Sequence, residues 1–169
     1  EFPDDPESSM ISFAYDLTQQ GAHLQYDPRI RLSTAADRKD ITNLYIEAFG
    51  EDPTEISPHS YVAGHQNPDI LTFVMEFDGV VLATLTSAIT ENIVHMWSIA
   101  VSQQKRRQGL ASALLNHALA HARDRGGVTI GFLAATVEGT HLYRSNGWTQ
   151  LEDWPTLRVT GRGPSSCAE

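Results

Sequence analysis

Apolar residues fall in two rhythms along this chain. Ile41, Leu44, Tyr45 and Ala48 recur at three- and four-residue intervals, one face of a helix that runs to about Phe49 and ends at Gly50. Thr34 and Asp37 stand just ahead of it as a near capping box, with Asp in place of Glu. Leu110, Ala113, Leu114, His117 and Ala118 make a second helical stripe within residues 109–125. Arg123 and Arg125 complement that helix's C-terminal dipole, and Gly126-Gly127 stops it. The other rhythm is β-rich. "ILTFVMEF" and "VVLATLTSAI" are joined by Asp78-Gly79, a two-residue hairpin signal, and a turn at Thr90, Glu91 and Asn92 leads into "IVHMWSIAV".

The remaining segments complete the order of elements. "RIRLS", from Arg29, reads as a strand, "VTIGFLAA" as a buried strand, "EGTHLYRS" as a short helix, and the stretches around Trp148 and Leu157 as strands. Residues 11–28 fit either a short helix or an extra strand. Residues 51–69 form a polar segment broken by prolines, with room for one short helix near Tyr61. The sum is a mixed α/β (α+β) pattern without internal repeat. We expect one domain over residues 10–160 and a flexible tail over 161–169. Residues 1–9, acidic and rich in proline and serine, read as disordered or foreign to the chain, with Met10 suited to a natural start.

Composition narrows the function classes. A hydrophobic fraction of 41% over 169 residues is enough for a real core. A net charge of -9 argues against nucleic acid as the main ligand and suits a cationic partner such as an amine. No apolar run is long enough to cross a bilayer, so no membrane role is expected. The single cysteine, Cys167, excludes a disulfide framework within the chain, which fits a cytoplasmic setting.

Against this acidic balance, "KRRQGLASALL" (105–115) places three cations ahead of a glycine and a helix start. The first amides of a helix lack intrahelical partners and carry partial positive charge, and glycine allows close backbone approach. Arginine can grip phosphate oxygens with paired hydrogen bonds. A pyrophosphate site and a merely solvated basic turn both fit these residues alone. The spacing of a nucleotide-triphosphate loop is absent. His117 and His121 stand at i, i+4 with no third ligand apparent, so they read as one packed and one surface histidine, and no metal site is expected.

"RRQGLA" (Arg106 to Ala111) fits Q/R-x-x-G-x-G/A, and "LYRSNGW" (Leu142 to Trp148) fits Y-x-x-x-G-[FW]. With the order of elements from Arg29 onward, these motifs resemble the GNAT superfamily of N-acyltransferases over roughly residues 29–160. The resemblance implies a central mixed, mostly antiparallel sheet flanked by helices. It implies acetyl-CoA as co-substrate and transfer of its acetyl group, in a ternary complex, directly onto a primary amine. The charge balance favours a small cationic molecule as acceptor. A protein or peptide amine, or an acyl-CoA-binding module without turnover, are the alternatives, and a homodimer is compatible with such a domain.

Residue by residue, the resemblance places the pantetheine arm along Ile99, Ala100 and Val101. It places the pyrophosphate over Arg106, Arg107, Gln108, Gly109, Leu110, Ala111 and Ser112. Tyr143 stands where the family's tyrosine protonates the departing thiolate. His95 stands where the histone-acetyltransferase branch has a glutamate base. A histidine could take the amine's proton there, directly or through water, but a sheet histidine or a pocket wall would also fit. Glu91 and Glu47 are weaker candidates for that base. Thr136 replaces a common asparagine that contacts the pantetheine arm, and Gly139 a common alanine. His59 and His65, flanking Tyr61, stand in the segment that covers the family's substrate pocket.

Overall fold

The computed structural model describes residues 9–50 and 67–155. Seven strands form one sheet: β1 (Ser9–Asp16), β2 (Ile30–Leu32), β3 (Ile70–Phe77), β4 (Val80–Thr90), β5 (Ile93–Val101), β6 (Ile130–Ala135) and β7 (Thr149–Pro155). The helices are α1 (Leu17–Gln20), α2 (Arg38–Phe49), α3 (Leu110–Arg125) and α4 (Thr140–Ser145). The sheet order is β2-β3-β4-β5-β6-β1-β7, antiparallel except for the parallel pair β5/β6. The expected mixed, mostly antiparallel sheet flanked by helices is therefore present. Among the described residues no helix is long and apolar enough to cross a membrane.

Local chemistry explains the joints. Asp78 and Gly79 both take positive φ, the conformation a tight two-residue hairpin demands. The Thr34–Asp37 capping box forms, and Arg31 clamps the buried Asp37 carboxylate with two hydrogen bonds of 2.8 and 2.9 Å. That guanidinium holds the carboxyl well below the usual carboxylate range. The box heads a 3-10 turn (Ala35–Asp37), and α2 follows from Arg38 to a left-handed C-cap at Gly50.

The open segment 11–28 resolves as β1 followed by the single turn of α1. β1 threads between β6 and β7, with Phe13 fully buried and Ile11 and Tyr15 on the same inward face. Opposite Ser12 the register against β7 slips, and its buried hydroxyl fills the bulge by bonding Glu152 N and O. β6 differs from the expected buried strand: Leu133 and Ala135 are buried, whereas Ile130 stays 37% exposed on the opposite face. The stripe on α3 is also wider than its period suggested, because Leu115, Leu119 and Ala122 are buried too.

Two apolar layers result. α3 packs with Phe13, Phe73, Met75, Leu85, Val94, Met96, Leu133 and Trp148 on one face, while α2 packs on Val74, Val81 and Ala100 on the other. Gly131 permits this: a Cβ there would stand 2.8 Å from Leu119 and 3.1 Å from Trp148. Residues 1–8, 51–66 and 156–169, which include His59, Tyr61, His65, Leu157, Cys167 and the expected tail, lie outside the described residues.

Candidate active site

β5 and β6 pair in parallel only from Ile93–Met96 against residues 130–133. Just beyond, the pairing of β5 with β4 slips between Thr84 and Thr86, and Ser98 takes a left-handed φ of 53°. This bulge reverses the alternation of β5. Val94 and Met96 before it, and Ile99 and Val101 after it, all face α3. Ala100 faces α2 instead. The two parallel strands diverge at their C-terminal ends, where open α/β sheets place ligands. A cleft of about 770 Å³ opens there, between Trp97, Ser98, Ile99 and Val101 on one side and Ala134, Ala135 and Thr136 on the other.

One end of the cleft is the basic turn. Lys105, Arg106, Arg107, Gly109, Leu110, Ala111 and Ser112 all line it. Arg107 and Gly109 have φ of 60° and 80°, so the chain alternates in hand, a conformation that can gather successive amides into an anion-binding concavity. Leu110, Ala111 and Ser112 open α3, and their amides have no intrahelical acceptor. No heavy atom lies within 4 Å of where a Cβ on Gly109 would stand, so the space above it is open. The cations are partly engaged elsewhere: Lys105 sits 5.8 Å from the Phe77 ring centre, and Arg106 Nε donates to Val101 O at 3.4 Å.

Tyr143 lines the same cleft. The phenol is only 7% exposed, and its ring packs on Phe13 at 5.3 Å and Trp148 at 6.1 Å between centroids. Its hydroxyl has no hydrogen-bond partner among the described residues, although buried hydroxyls are rarely left so. Burial pushes the phenol up to about 12, which keeps it a proton donor at neutral pH. The Y-x-x-x-G-[FW] spacing has a local cause. Gly147 takes φ 81°, which lets Trp148 N reach back to Tyr143 O at 3.1 Å and places the indole beside the phenol. Asn146 Nδ2 donates to Ser112 Oγ at 3.0 Å and to Leu142 O at 2.7 Å, tying α4 to the first turn of α3.

Most of the expected site residues thus converge on one cleft, including Ile99, Val101, Thr136 and Tyr143. Gln108 and Ala100 belong to the same turn and strand without lining it; Ala100 is buried under α2. His95 also stands apart from the lining. It sits opposite Phe132 of β6, with the rings edge to face at 5.7 Å, two positions before Trp97. Glu91 lies in the β4–β5 turn with φ 54°. Gly139 and Glu138 line the cleft beside Thr136, and the Glu138 carboxyl is held below its ordinary value by its own backbone amide and the Thr136 hydroxyl. Met10, Phe49 and Trp97 are lining residues that sequence reasoning did not single out. Only Trp97 had a signal, its place within the β-rich run "IVHMWSIAV", whose end the resemblance assigns to the pantetheine arm.

A model of the acetyltransferase (GNAT) family matches residues 38–148. No curated protein matches the chain. Among solved structures, a putative acetyltransferase from the GNAT family of Novosphingobium aromaticivorans has a TM-score of 0.64 at 16% identity, over 86% of this chain and 61% of that one. A GCN5-related N-acetyltransferase from Sphaerobacter thermophilus gives 0.66 at 22% identity, over 86% and 49%. AAC(6')-Iy, in complex with the bisubstrate analog CoA-S-monomethyl-acetylneamine, gives 0.62 at 16% identity, over 80% and 97%. These likenesses show the fold. The chain spans about half to three fifths of the length of the first two.

Proposed function

The chain belongs to the GNAT acetyltransferase family, and we propose that it moves the acetyl group of acetyl-CoA directly onto a primary amine of a small cationic molecule. The observation that carries this reading is Tyr143, a buried phenol with no protein partner among the described residues, in the same cleft as an open glycine cradle. Acetyl-CoA needs both. Its pyrophosphate suits the amides from Arg107 to Ser112, with the arginines as supporting charge. Its pantetheine arm suits the unpaired edge of β5 at Ile99 to Val101, as an added strand, beside Thr136.

The chemistry then asks little of the protein. The neutral amine attacks the thioester carbonyl, the C–S bond breaks, and the amide forms. A β5 backbone N–H beside the bulge polarises the carbonyl oxygen. Tyr143 donates its proton to the departing thiolate. The attacking nitrogen gives up its own proton to His95 through water, since His95 stands outside the cleft lining. The exposed rings of Phe49 and Trp97 and the carboxylate of Glu138 suit a cationic acceptor. Because the fold neighbour AAC(6')-Iy carries an acetylneamine analogue, aminoglycosides and polyamines are the first acceptors to try.

The experiment is a thermal shift with acetyl-CoA beside free-thiol release over an amine panel. We expect a raised midpoint, and thiol release with at least one polycationic amine that weakens at neutral pH in His95→Ala. A raised midpoint without thiol release for any amine would replace the enzyme with a module that only holds acyl-CoA. No shift and no release would sink both.

A further inference from the structure

Glu47, a weaker candidate for the base, is bonded to the turn that follows β5. It sits in the last turn of α2, and its Oε1 accepts from Gln103 N at 2.5 Å and from Ser102 Oγ at 3.3 Å. Gln103 Nε2 returns a long bond of 3.5 Å to Glu47 O. Gln103–Lys105 is the 3-10 turn between the end of β5 and the basic turn. Its own N-cap, Ser102, makes no side-chain bond to that turn; the capping oxygen comes instead from α2, more than fifty positions earlier in the chain.

We propose that Glu47 is a positioning residue for the acyl-CoA pyrophosphate, capping the turn that presents Arg106 to Ser112 to the cleft. The inference rests on the functional reading above and deepens it. Three contacts anchor the turn at its start, and Arg106 N to Gln103 O at 3.4 Å carries that anchor to the first residue of the cradle. The same helix end supplies Ala48 and Phe49 to the cleft wall, so Glu47 joins the acceptor side of the cleft to its phosphate side. An acidic group near a polyphosphate also has an opposing effect. Its charge repels the ligand, but Glu47 is exposed and water and salt screen it. The cap is the larger effect, and the two have opposite signs, which makes them separable.

The test titrates acetyl-CoA by calorimetry into the unaltered chain, Glu47→Ala and Glu47→Gln, with S-acetylpantetheine followed by NMR as a ligand that lacks the pyrophosphate. Glu47→Ala loses the cap and should weaken acetyl-CoA about 3- to 10-fold, the size of a lost N-cap. Glu47→Gln keeps an acceptor oxygen, removes the charge, and should bind within about twofold of the unaltered chain or tighter. S-acetylpantetheine should bind all three alike. Equal acetyl-CoA affinity in Glu47→Ala would overturn the inference alone, as would a parallel loss of S-acetylpantetheine, which would mark general damage. No acetyl-CoA binding by the unaltered chain would overturn the functional reading and the inference with it.

Discussion

Gly109 stands at the mouth of the basic turn with a backbone that favours glycine. Its φ of 80° falls where side chains are strained, and the space a Cβ would fill is open to the cleft. Gly109→Ala therefore combines backbone strain with an obstacle over the cradle. It should weaken acetyl-CoA binding about tenfold or more by calorimetry, equivalent to about 1.4 kcal/mol. Three cations stand beside it in an acidic chain. Two of them, Lys105 and Arg106, also contact Phe77 and Val101 O, and in the proposed function they add charge to a cradle of backbone amides. The glycine turn and Tyr143 were legible as motifs because both are local, a glycine before a helix and a phenol before a turn, and the structure puts both on one cleft. The sequence could not carry Phe49, Met10 or the work of Glu47, whose neighbours are distant in the chain.

Among the elements, the hairpin at Asp78-Gly79, the capping box and α2 were legible because each is fixed by its own turn chemistry. β1 was not. Ile11, Phe13 and Tyr15 do alternate with Ser12, Ala14 and Asp16, but the run is short and passes into residues of no clear period, and the strand is fixed by pairing with β6 and β7. The bulge at Ser98 escaped notice for the same reason, being a mismatch between partners. His117 matches the expected packed histidine: it is buried, its Nδ1 accepts from Asp27 N at 3.2 Å, and Tyr26 and Phe73 flank its ring edge-on.

Burial, then the neighbouring His121, lowers the His117 pKa, while Asp27 opposes the shift. Burial also lowers His121, helped by Arg125 and opposed by Asp124. The unfolded chain takes up protons below about pH 6.5, so this stability is present above that pH and lost as pH falls through the folded values. The urea midpoint should drop between about pH 7 and pH 5. His117→Leu should flatten that slope even though it removes the acceptor for Asp27 N; an unchanged slope would clear His117 of the effect.

For the molecule as a whole, β1 is the piece that joins stability to the site. Phe13 is fully buried, touches the Tyr143 ring, and lies on the strand that separates β6 from β7. Phe13→Ala should lower unfolding stability by about 3–5 kcal/mol in denaturant titrations. It should also disturb Tyr143, seen as faster amide exchange in α4. A small loss confined to β1 would mean that this strand packs on the site without supporting it. The match to the family covers residues 38–148 and omits β1, although β1 completes the sheet on which Tyr143 rests.

In the proposed function one cleft holds acetyl-CoA by its backbone cradle and uses Tyr143 to protonate the leaving thiolate. Tyr143→Phe keeps the ring between Phe13 and Trp148 and deletes only the unpartnered hydroxyl. The most direct measurement is its turnover, as free-thiol release with an accepted amine, set beside its acetyl-CoA dissociation constant. The account predicts a fall in kcat of about 10²-fold with that constant essentially unchanged. Equal turnover in the two proteins would contradict it.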